Sequence, residues 1–192
     1  MATKIVICGV GALGSHTATL CRNLDAQLVL VDFDRVESKN LLAQAFVKPS
    51  IGKNKAEALK LQLANFYGVK VQAFGVRAAP ENVGTLLDGA TLVVDCFDNA
   101  ASRNLLSARC RASSQALVHG ALSADGTFGL VRWDERFAAD AEDAEGQATC
   151  EGGEHLPLIG LVAAALARSI QDHLRDNVKR DYQVSLNGVS ET

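Results

Sequence analysis

The chain has 192 residues, enough for one sizeable domain, and its apolar share of 48% and charged share of 21% are typical of a globular protein. A net charge of −3 and the lack of any Lys/Arg-rich run argue against direct nucleic-acid binding. The longest apolar run, at 156–167, is too short to cross a bilayer, so we expect no membrane association.

The five cysteines are odd in number and form no CxxC pair, which predicts free thiols and a reducing, cytoplasmic setting. They are Cys8, Cys21, Cys96, Cys110 and Cys150.

Charge is distributed unevenly along the chain. The segment from Asp134 to Glu154 holds eight acids and one base, which leaves 14 acids and 18 bases elsewhere. The segment also lacks an apolar period, so it predicts a flexible acidic crossover loop at 134–154 within a single domain at 1–192.

The first elements form a βαβ unit. The stretch "KIVICGVGALGSHTATLCRNL" predicts a strand, a glycine turn and a helix, and "AQLVLVDFD" predicts a second buried strand. Residues 4–34 therefore predict a parallel sheet.

Strand-like and helix-like segments alternate through the rest of the chain. The helix "KNKAEALKLQLANF" places Ala56, Leu59, Leu63 and Phe66 on one face, and "VKVQAFGV", "TLVVDCFDN", "ALVHGAL" and "TFGLVRW" read as strands. The helix "LPLIGLVAAALARSIQDHL" is apolar nearly all round at its start, which predicts burial in the core or in a subunit interface. "DYQVSLNG" is an expected edge or antiparallel strand. The pattern predicts an α/β fold, a Rossmann-like, doubly wound, mostly parallel sheet with helices on both faces.

The glycine turn is a candidate nucleotide site. Gly9, Gly11 and Gly14 form GxGxxG between a strand and a helix, where the backbone can approach a phosphate. Asp32 ends the second strand, where a carboxylate can bind ribose hydroxyls. These features fit NAD as well as ATP, and the glycines could serve strand-to-helix packing alone.

Three further residues favour a nucleoside triphosphate. Lys55, near a helix start, could hold phosphates, Asp98, past a strand end, could bind Mg²⁺, and Asn40 could donate to a phosphate oxygen. The alternatives are a solvated lysine, a helix N-cap at Asp98 and a capping role for Asn40.

With these pieces in order, the sequence resembles the ThiF/MoeB/HesA group of E1-like adenylating enzymes. The matching stretches are "GVGALGS", "VDFDRVESKNL", "IGKNKAE", "VVDCFDNAASR" and "LPLIGLVAAALA", which cover most of the chain.

The resemblance implies ATP- and Mg²⁺-dependent adenylation of a carboxylate, typically the C-terminal glycine of a small ubiquitin-like or sulfur-carrier protein, by a homodimer. It implies catalytic roles for Lys55 and Asp98, with Asp98 holding the metal. The nucleotide-binding residues that it implies are Gly9, Gly11, Gly14, Asp32, Asp34, Asn40 and Lys55.

The chain departs from the family pattern at Ala43, where relatives carry a phosphate-binding arginine. Loss of one such donor slows a reaction about 10²- to 10³-fold. Lys39 or Lys53 could supply the missing charge. The rival hypothesis is a nucleotide-binding pseudoenzyme or scaffold, and an NAD(P) oxidoreductase ranks third because no hydride-handling site is evident.

Cys150 is a candidate acyl acceptor, assisted by His155, in a segment where some relatives carry such a cysteine; the alternative is a free surface thiol. Cys150 and His155 are too few for a zinc site, which needs four ligands, so no zinc is expected. His16 and His119 are expected to be structural, and Arg103 to pair with a local carboxylate.

Overall fold

The computed structural model describes residues 3–138 and 153–192. Eight strands form one sheet in the order β3-β2-β1-β4-β5-β6-β7-β8. The strands are β1 (Lys4–Cys8), β2 (Gln27–Val31), β3 (Val71–Phe74), β4 (Leu92–Asp95), β5 (Ala116–Leu122), β6 (Phe128–Trp133), β7 (Tyr182–Ser185) and β8 (Gly188–Glu191). The helices are α1 (Ala12–Leu20), α2 (Lys55–Tyr67), α3 (Val83–Leu86), α4 (Ala100–Ser113) and α5 (Leu156–Asp176).

Strands β1 to β5 are parallel, and β6 to β8 continue the sheet antiparallel. Apolar side chains that alternate along β1 enter two separate cores: Ile5 and Ile7 pack with α1, α2 and α5, while Val6 and Cys8 pack with α3 and α4. Burial on both faces explains the nearly continuous apolar runs of the parallel strands. The predicted doubly wound fold with helices on both faces is confirmed.

Helix α5 covers the junction between the parallel and antiparallel strands, packing on α1, β5, β6 and β7. Trp133, fully buried on β6, donates its indole N–H to the hydroxyl of Ser169 on α5 at 3.0 Å. The late segment forms a β7–β8 hairpin, so the predicted antiparallel strand is present and β8 is an additional edge strand.

The predicted helix with Ala56, Leu59, Leu63 and Phe66 at helical spacing is confirmed as α2, whereas the predicted start of the acidic loop was wrong. Phe66 is 66% exposed, because the last turn of α2 carries it past the core, where its ring meets that of Tyr67 edge-on. Asp134 is buried in a 3-10 helix at Asp134–Arg136, so the solvated acidic segment starts later than residue 134. Residues 139–152 lie outside the described residues, and a crossover loop there stays a prediction.

No helix among the described residues has both the length and the apolar character required to span a membrane.

Candidate nucleotide site

The glycine turn joins β1 to α1 and presses against the end of β4. Gly9 has φ +85°, and a Cβ there would lie 2.8 Å from the carbonyl carbon of Cys96. A Cβ on Gly14 would overlap the carbonyl oxygen of Gly9. Gly11 is the N-cap of α1, and a Cβ there would meet no atom within 4 Å, which leaves an open crevice beside the start of the helix. Thus Gly9 and Gly14 allow close packing, and Gly11 keeps the crevice open.

Asp32 fastens the glycine turn to the end of β2. It is 6% exposed, and its Oδ2 accepts a 2.6 Å hydrogen bond from the Val10 N–H while its Oδ1 accepts one of 2.8 Å from the Asp34 N–H. Burial raises the pKa of Asp32, and these hydrogen bonds with the charge of Lys55 only partly offset that rise. Each oxygen keeps a lone pair able to accept from a ribose hydroxyl.

Lys55 opens α2 beside this turn. Its ammonium lies 3.1 Å from Asp34 Oδ2, and its backbone N–H donates to the Asp34 carbonyl at 2.8 Å. Asn54 caps α2 by accepting from the Glu57 N–H and donates to the Asp32 carbonyl at 2.8 Å. With 8% exposure, Lys55 is not the solvated helix residue of the alternative interpretation.

The segment that follows β2 forms a 3-10 helix at Ser38–Leu42. Asn40 is buried, and its side-chain oxygen accepts from the Glu37 N–H at 2.8 Å, so it has the capping role given as the alternative. Its amide nitrogen is the group suited to donate to a phosphate.

Ala43 is fully buried in a small cluster with Ala12 and Ile159. His16 Nε2 lies 3.2 Å from the Ala43 carbonyl oxygen. The space beside Ala43 is therefore filled by neighbouring apolar side chains, and His16 has a structural contact as expected.

Asp98 follows β4 and is exposed. The N-cap of α4 is Asn99, which accepts from the Ser102 N–H at 2.9 Å, so the alternative capping role of Asp98 is wrong. The strand order sets β2 and β4 on opposite sides of β1, so Asp98 and Asp32 flank the glycine turn. Asp98 and Lys55 therefore lie at the same carboxyl edge of the sheet because of the strand order, and not because their side chains touch.

A buried ionic network lies next to the Asp98 turn and was not predicted. Asp95 Oδ2 accepts from Arg103 Nη1 at 3.1 Å and lies 2.7 Å from His119 Nδ1, while His119 Nε2 lies 3.1 Å from Asp134 Oδ1. Arg111 pairs with Asp134 at 2.6 Å. Arg103 thus pairs with a local carboxylate, as expected.

The network fixes the turn that carries Asp98, because Asp95 Oδ1 also accepts from the Phe97 N–H at 2.9 Å. Burial raises the pKa of Asp134, but hydrogen bonds from Arg111, Ser107 and His119 outweigh it and leave this pKa below its ordinary value. The sequence offered one signal for this network: Asp95 ends one predicted strand and His119 lies within the next, so the two could be neighbours in the sheet.

A cavity of about 610 Å³ lies elsewhere, lined in part by Arg111, Asp134, His173 and Lys179. It adjoins the first residues of β5 and so belongs to the amino edge of the parallel sheet, away from the glycine turn. Ligands of doubly wound sheets bind at the carboxyl edge, and we place the candidate site there.

Cys150 lies outside the described residues, so its acyl-acceptor role and the expected absence of zinc stay predictions. His155 precedes α5, with Nε2 3.4 Å from Glu154 Oε1. Within residues 3–138 and 153–192, no three His, Cys, Asp or Glu side chains are grouped to hold a metal.

Known proteins resemble this chain in both sequence and fold. It is 31% identical over 176 residues to the adenylyltransferase and sulfurtransferase UBA4 of Lodderomyces elongisporus, covering 86% of this chain and 39% of that protein. It is 29% identical to the molybdopterin-synthase adenylyltransferase of Salmonella typhimurium, covering 85% of this chain and 70% of the relative. The chain therefore spans well under half of the length of UBA4.

The crystal structure of Escherichia coli MccB with MccA-N7isoASN superposes with a TM-score of 0.81 at 17% identity, covering 99% of this chain and 64% of MccB. At that identity the match supports the fold alone. Residues 1–179 match the ThiF family, and we conclude that the chain belongs to the ThiF family.

Proposed function

We propose that the chain is an ATP-dependent, E1-like adenylyltransferase that activates a carboxylate, most favourably the C-terminal glycine of a small ubiquitin-like or sulfur-carrier protein. Relatives at about 30% identity are named adenylyltransferases, and one relative, from Haloferax volcanii, is named a SAMP-activating enzyme E1. The observation that carries the proposal is Lys55, a nearly buried ammonium at a helix start, held by Asp34 beside Asp32 and the glycine turn.

In the proposed reaction, a carboxylate oxygen bonds to the α-phosphorus of ATP, the bond to the bridging oxygen breaks, and pyrophosphate leaves. Asp32 would bind the ribose, the glycine turn the phosphate backbone, and Lys55 and Asn40 the phosphate oxygens. Asp34 would act by orienting Lys55, because its carboxylate is already paired with that ammonium.

Mg²⁺ fits the exposed carboxylate of Asp98, because this ion is commonly bound by one or two carboxylates together with substrate phosphates and water. Mg²⁺ held there would offset negative charge on the phosphates.

The test is ATP–pyrophosphate exchange dependent on a carrier protein ending in Gly-Gly. Lys55→Ala should lower exchange about 10²- to 10³-fold, the range for loss of one charge-stabilising donor. Lys60→Ala is the matched control: Lys60 lies on the same helix with its side chain 44% exposed, pairs with Glu57 at 3.1 Å, and should leave exchange unchanged. Equal activity of the two variants would contradict the role of Lys55.

The burial of Ala43 favours a second candidate, a nucleotide-binding pseudoenzyme or scaffold, because no arginine reaches the phosphates from that position. ATP binding without exchange for any carboxylate tested would support it. Against it, Lys39 could compensate: its side chain is 46% exposed in the same 3-10 helix as Asn40. Lys39→Ala should then reduce exchange, and unchanged turnover would remove Lys39 from the proposal; Lys53 is the next candidate.

We further propose a cytoplasmic homodimer. Four of the five cysteines, Cys8, Cys21, Cys96 and Cys110, are free thiols, which suits a reducing compartment. Leu156 and Leu161 on α5 are 40% and 37% exposed, and Leu42 is 55% exposed. Leu161→Glu should convert a dimer to a monomer in sedimentation measurements, and a wild-type monomer would contradict this part of the proposal.

A further inference from the structure

We propose that His119 is a positioning residue for the adenylation reaction: it sets the place of the turn that carries Asp98 by holding the Asp95 carboxylate from β5. This inference rests on the proposed function and adds a residue that acts through its neighbour rather than on the substrate.

The imidazole of His119 lies in β5, and its side chain is fully buried. Its Nδ1 lies 2.7 Å from Asp95 Oδ2 at the end of β4, and its Nε2 lies 3.1 Å from Asp134 Oδ1, directly after β6. The Phe137 ring stacks on the imidazole with 3.8 Å between ring centroids and 12° between the planes. Contacts at both nitrogens and on one face therefore fix the orientation of the ring.

Asp95 is the link between His119 and the turn. Its Oδ1 accepts from the Phe97 N–H at 2.9 Å, and its Oδ2 meets His119 and Arg103 Nη1. The last torsion of an aspartate side chain is soft, so a carboxylate fastened at one point can rotate about it. Arg103 belongs to α4, which starts just after the turn, whereas His119 belongs to the neighbouring strand. His119 is thus the contact that orients the Asp95 carboxylate relative to the sheet.

The turn after β4 also lies against the glycine turn. A Cβ on Gly9 would lie 2.8 Å from the Cys96 carbonyl carbon and 3.0 Å from the Phe97 nitrogen. A shift of the peptide bond that joins Cys96 to Phe97 would therefore move Asp98, the next residue, relative to the glycine turn. Because misplacement of reacting groups by about 1 Å can cost about 10²-fold in rate, the orientation of Asp95 bears on the proposed reaction.

Two amide substitutions separate the roles of the two nitrogens of His119. The side-chain nitrogen of asparagine can take the place of Nδ1, so His119→Asn can keep the contact with Asp95 and loses the one with Asp134. The longer glutamine side chain reaches the place of Nε2, so His119→Gln can keep the contact with Asp134 and loses the one with Asp95. Both variants replace the same ring with an amide, so a difference between them reports on the contact with Asp95.

The first measurement uses the metal-free protein and follows the exchange of the Phe97 amide proton with solvent by NMR. This proton should exchange about tenfold faster in His119→Gln than in the wild type, which corresponds to about 1.4 kcal/mol. In His119→Asn it should exchange within about twofold of the wild-type rate, because the contact that orients Asp95 is kept.

The second measurement is the Mg²⁺ concentration that gives half-maximal ATP–pyrophosphate exchange. This concentration should rise about tenfold in His119→Gln, the lower end of the range for loss of a residue that supports a metal ligand. It should stay near the wild-type value in His119→Asn.

Phe137→Ala is a milder variant at a half-buried position, and it removes only the ring that stacks on the imidazole. It should change both measurements about twofold in the same direction as His119→Gln, the lower end for loss of an aromatic pair.

Ser169→Ala is the matched control, because it removes another fully buried polar side chain with two hydrogen bonds. Ser169 accepts from the Trp133 indole N–H at 3.0 Å and donates to the Arg180 carbonyl at 2.8 Å. The variant should lower Tm, as the His119 variants do, and change neither measurement.

Three outcomes are decisive against the inference. Equal Phe97 amide exchange in His119→Asn and His119→Gln, or wild-type exchange in both His119→Gln and Phe137→Ala, would overturn it and leave the proposed function standing. The same rise in the Mg²⁺ concentration in Ser169→Ala would mean that lost stability alone is the cause. A wild-type protein without pyrophosphate exchange would overturn the proposed function, and the role of His119 in the reaction with it.

Discussion

The glycine turn gives the sharpest prediction, because two of its glycines should respond to the same substitution in opposite ways. A Cβ on Gly14 would overlap the Gly9 carbonyl oxygen and lie 2.9 Å from its carbonyl carbon, where carbon atoms normally keep about 3.5 to 4.0 Å. Backbone atoms cannot rotate away, so α1 must shift from β1. A Cβ on Gly11 meets no atom within 4 Å.

We therefore expect Gly14→Ala to cost about 3 kcal/mol, the upper end of the usual range for overpacking. At about 2 to 4 °C per kcal/mol for a chain of this size, Tm should fall by about 6 to 12 °C. Gly11→Ala should cost about 1 kcal/mol or less, the difference between glycine and alanine at an N-cap.

ATP binding should single out Gly11, the glycine whose substitution affects stability less. Gly11→Ala places a methyl group in the crevice at the start of α1, so its ATP affinity should fall at least about tenfold while its fold persists, a loss of about 1.4 kcal/mol. Thermal unfolding and calorimetric titration of the two variants check both effects. A Gly14→Ala protein as stable as the wild type would refute the close packing, and unchanged ATP affinity in Gly11→Ala would refute phosphate binding at that turn.

Three further predictions concern the buried groups. Arg103→Met leaves the buried Asp95 carboxylate without its cation and should cost about 3 kcal/mol in chemical denaturation. Arg175→Met removes an exposed guanidinium from its pairs with Asp172 and Asp176 and should leave the free energy of unfolding nearly unchanged. The pKa of Asp134 is lowered in the folded protein, so the stability that its carboxylate contributes is complete above the ordinary pKa near 4 and is lost as pH falls through the folded pKa. The Tm of Asp134→Asn should therefore fall less than that of the wild type between about pH 5 and about pH 3. Ala43→Arg, which restores the family residue, should lower Tm without raising pyrophosphate exchange, because the position is fully buried. A gain of activity would contradict this, because it would mean that the neighbouring side chains can move to admit an arginine.

The order of elements was predictable because apolar periodicity and turn residues act locally. The βαβ unit at 4–34 and the helix "KNKAEALKLQLANF" match β1, α1, β2 and α2 closely. The exposure of Phe66 was not predictable, because helical spacing gives the face of a helix but not the point at which the core ends.

The candidate site was predictable where one motif supplies several contacts, as with Asp32 and the glycine turn. The ionic network was not, because Asp95, His119 and Asp134 come from separate elements and only strand register brings them together: Asp95 and His119 are direct partners in β4 and β5. The burial of Ala43 likewise depends on Ile159, which lies on α5 far along the chain.

Helix α5 runs for 21 residues, about 31 Å, and packs on both the parallel and the antiparallel strands. A hinge between these two parts of the sheet would have to peel the helix from one of them and expose its apolar side. Amide protons of β6 should consequently exchange with solvent only through the same large opening that releases those of β1, so the nucleotide edge and the antiparallel edge would unfold as one cooperative unit.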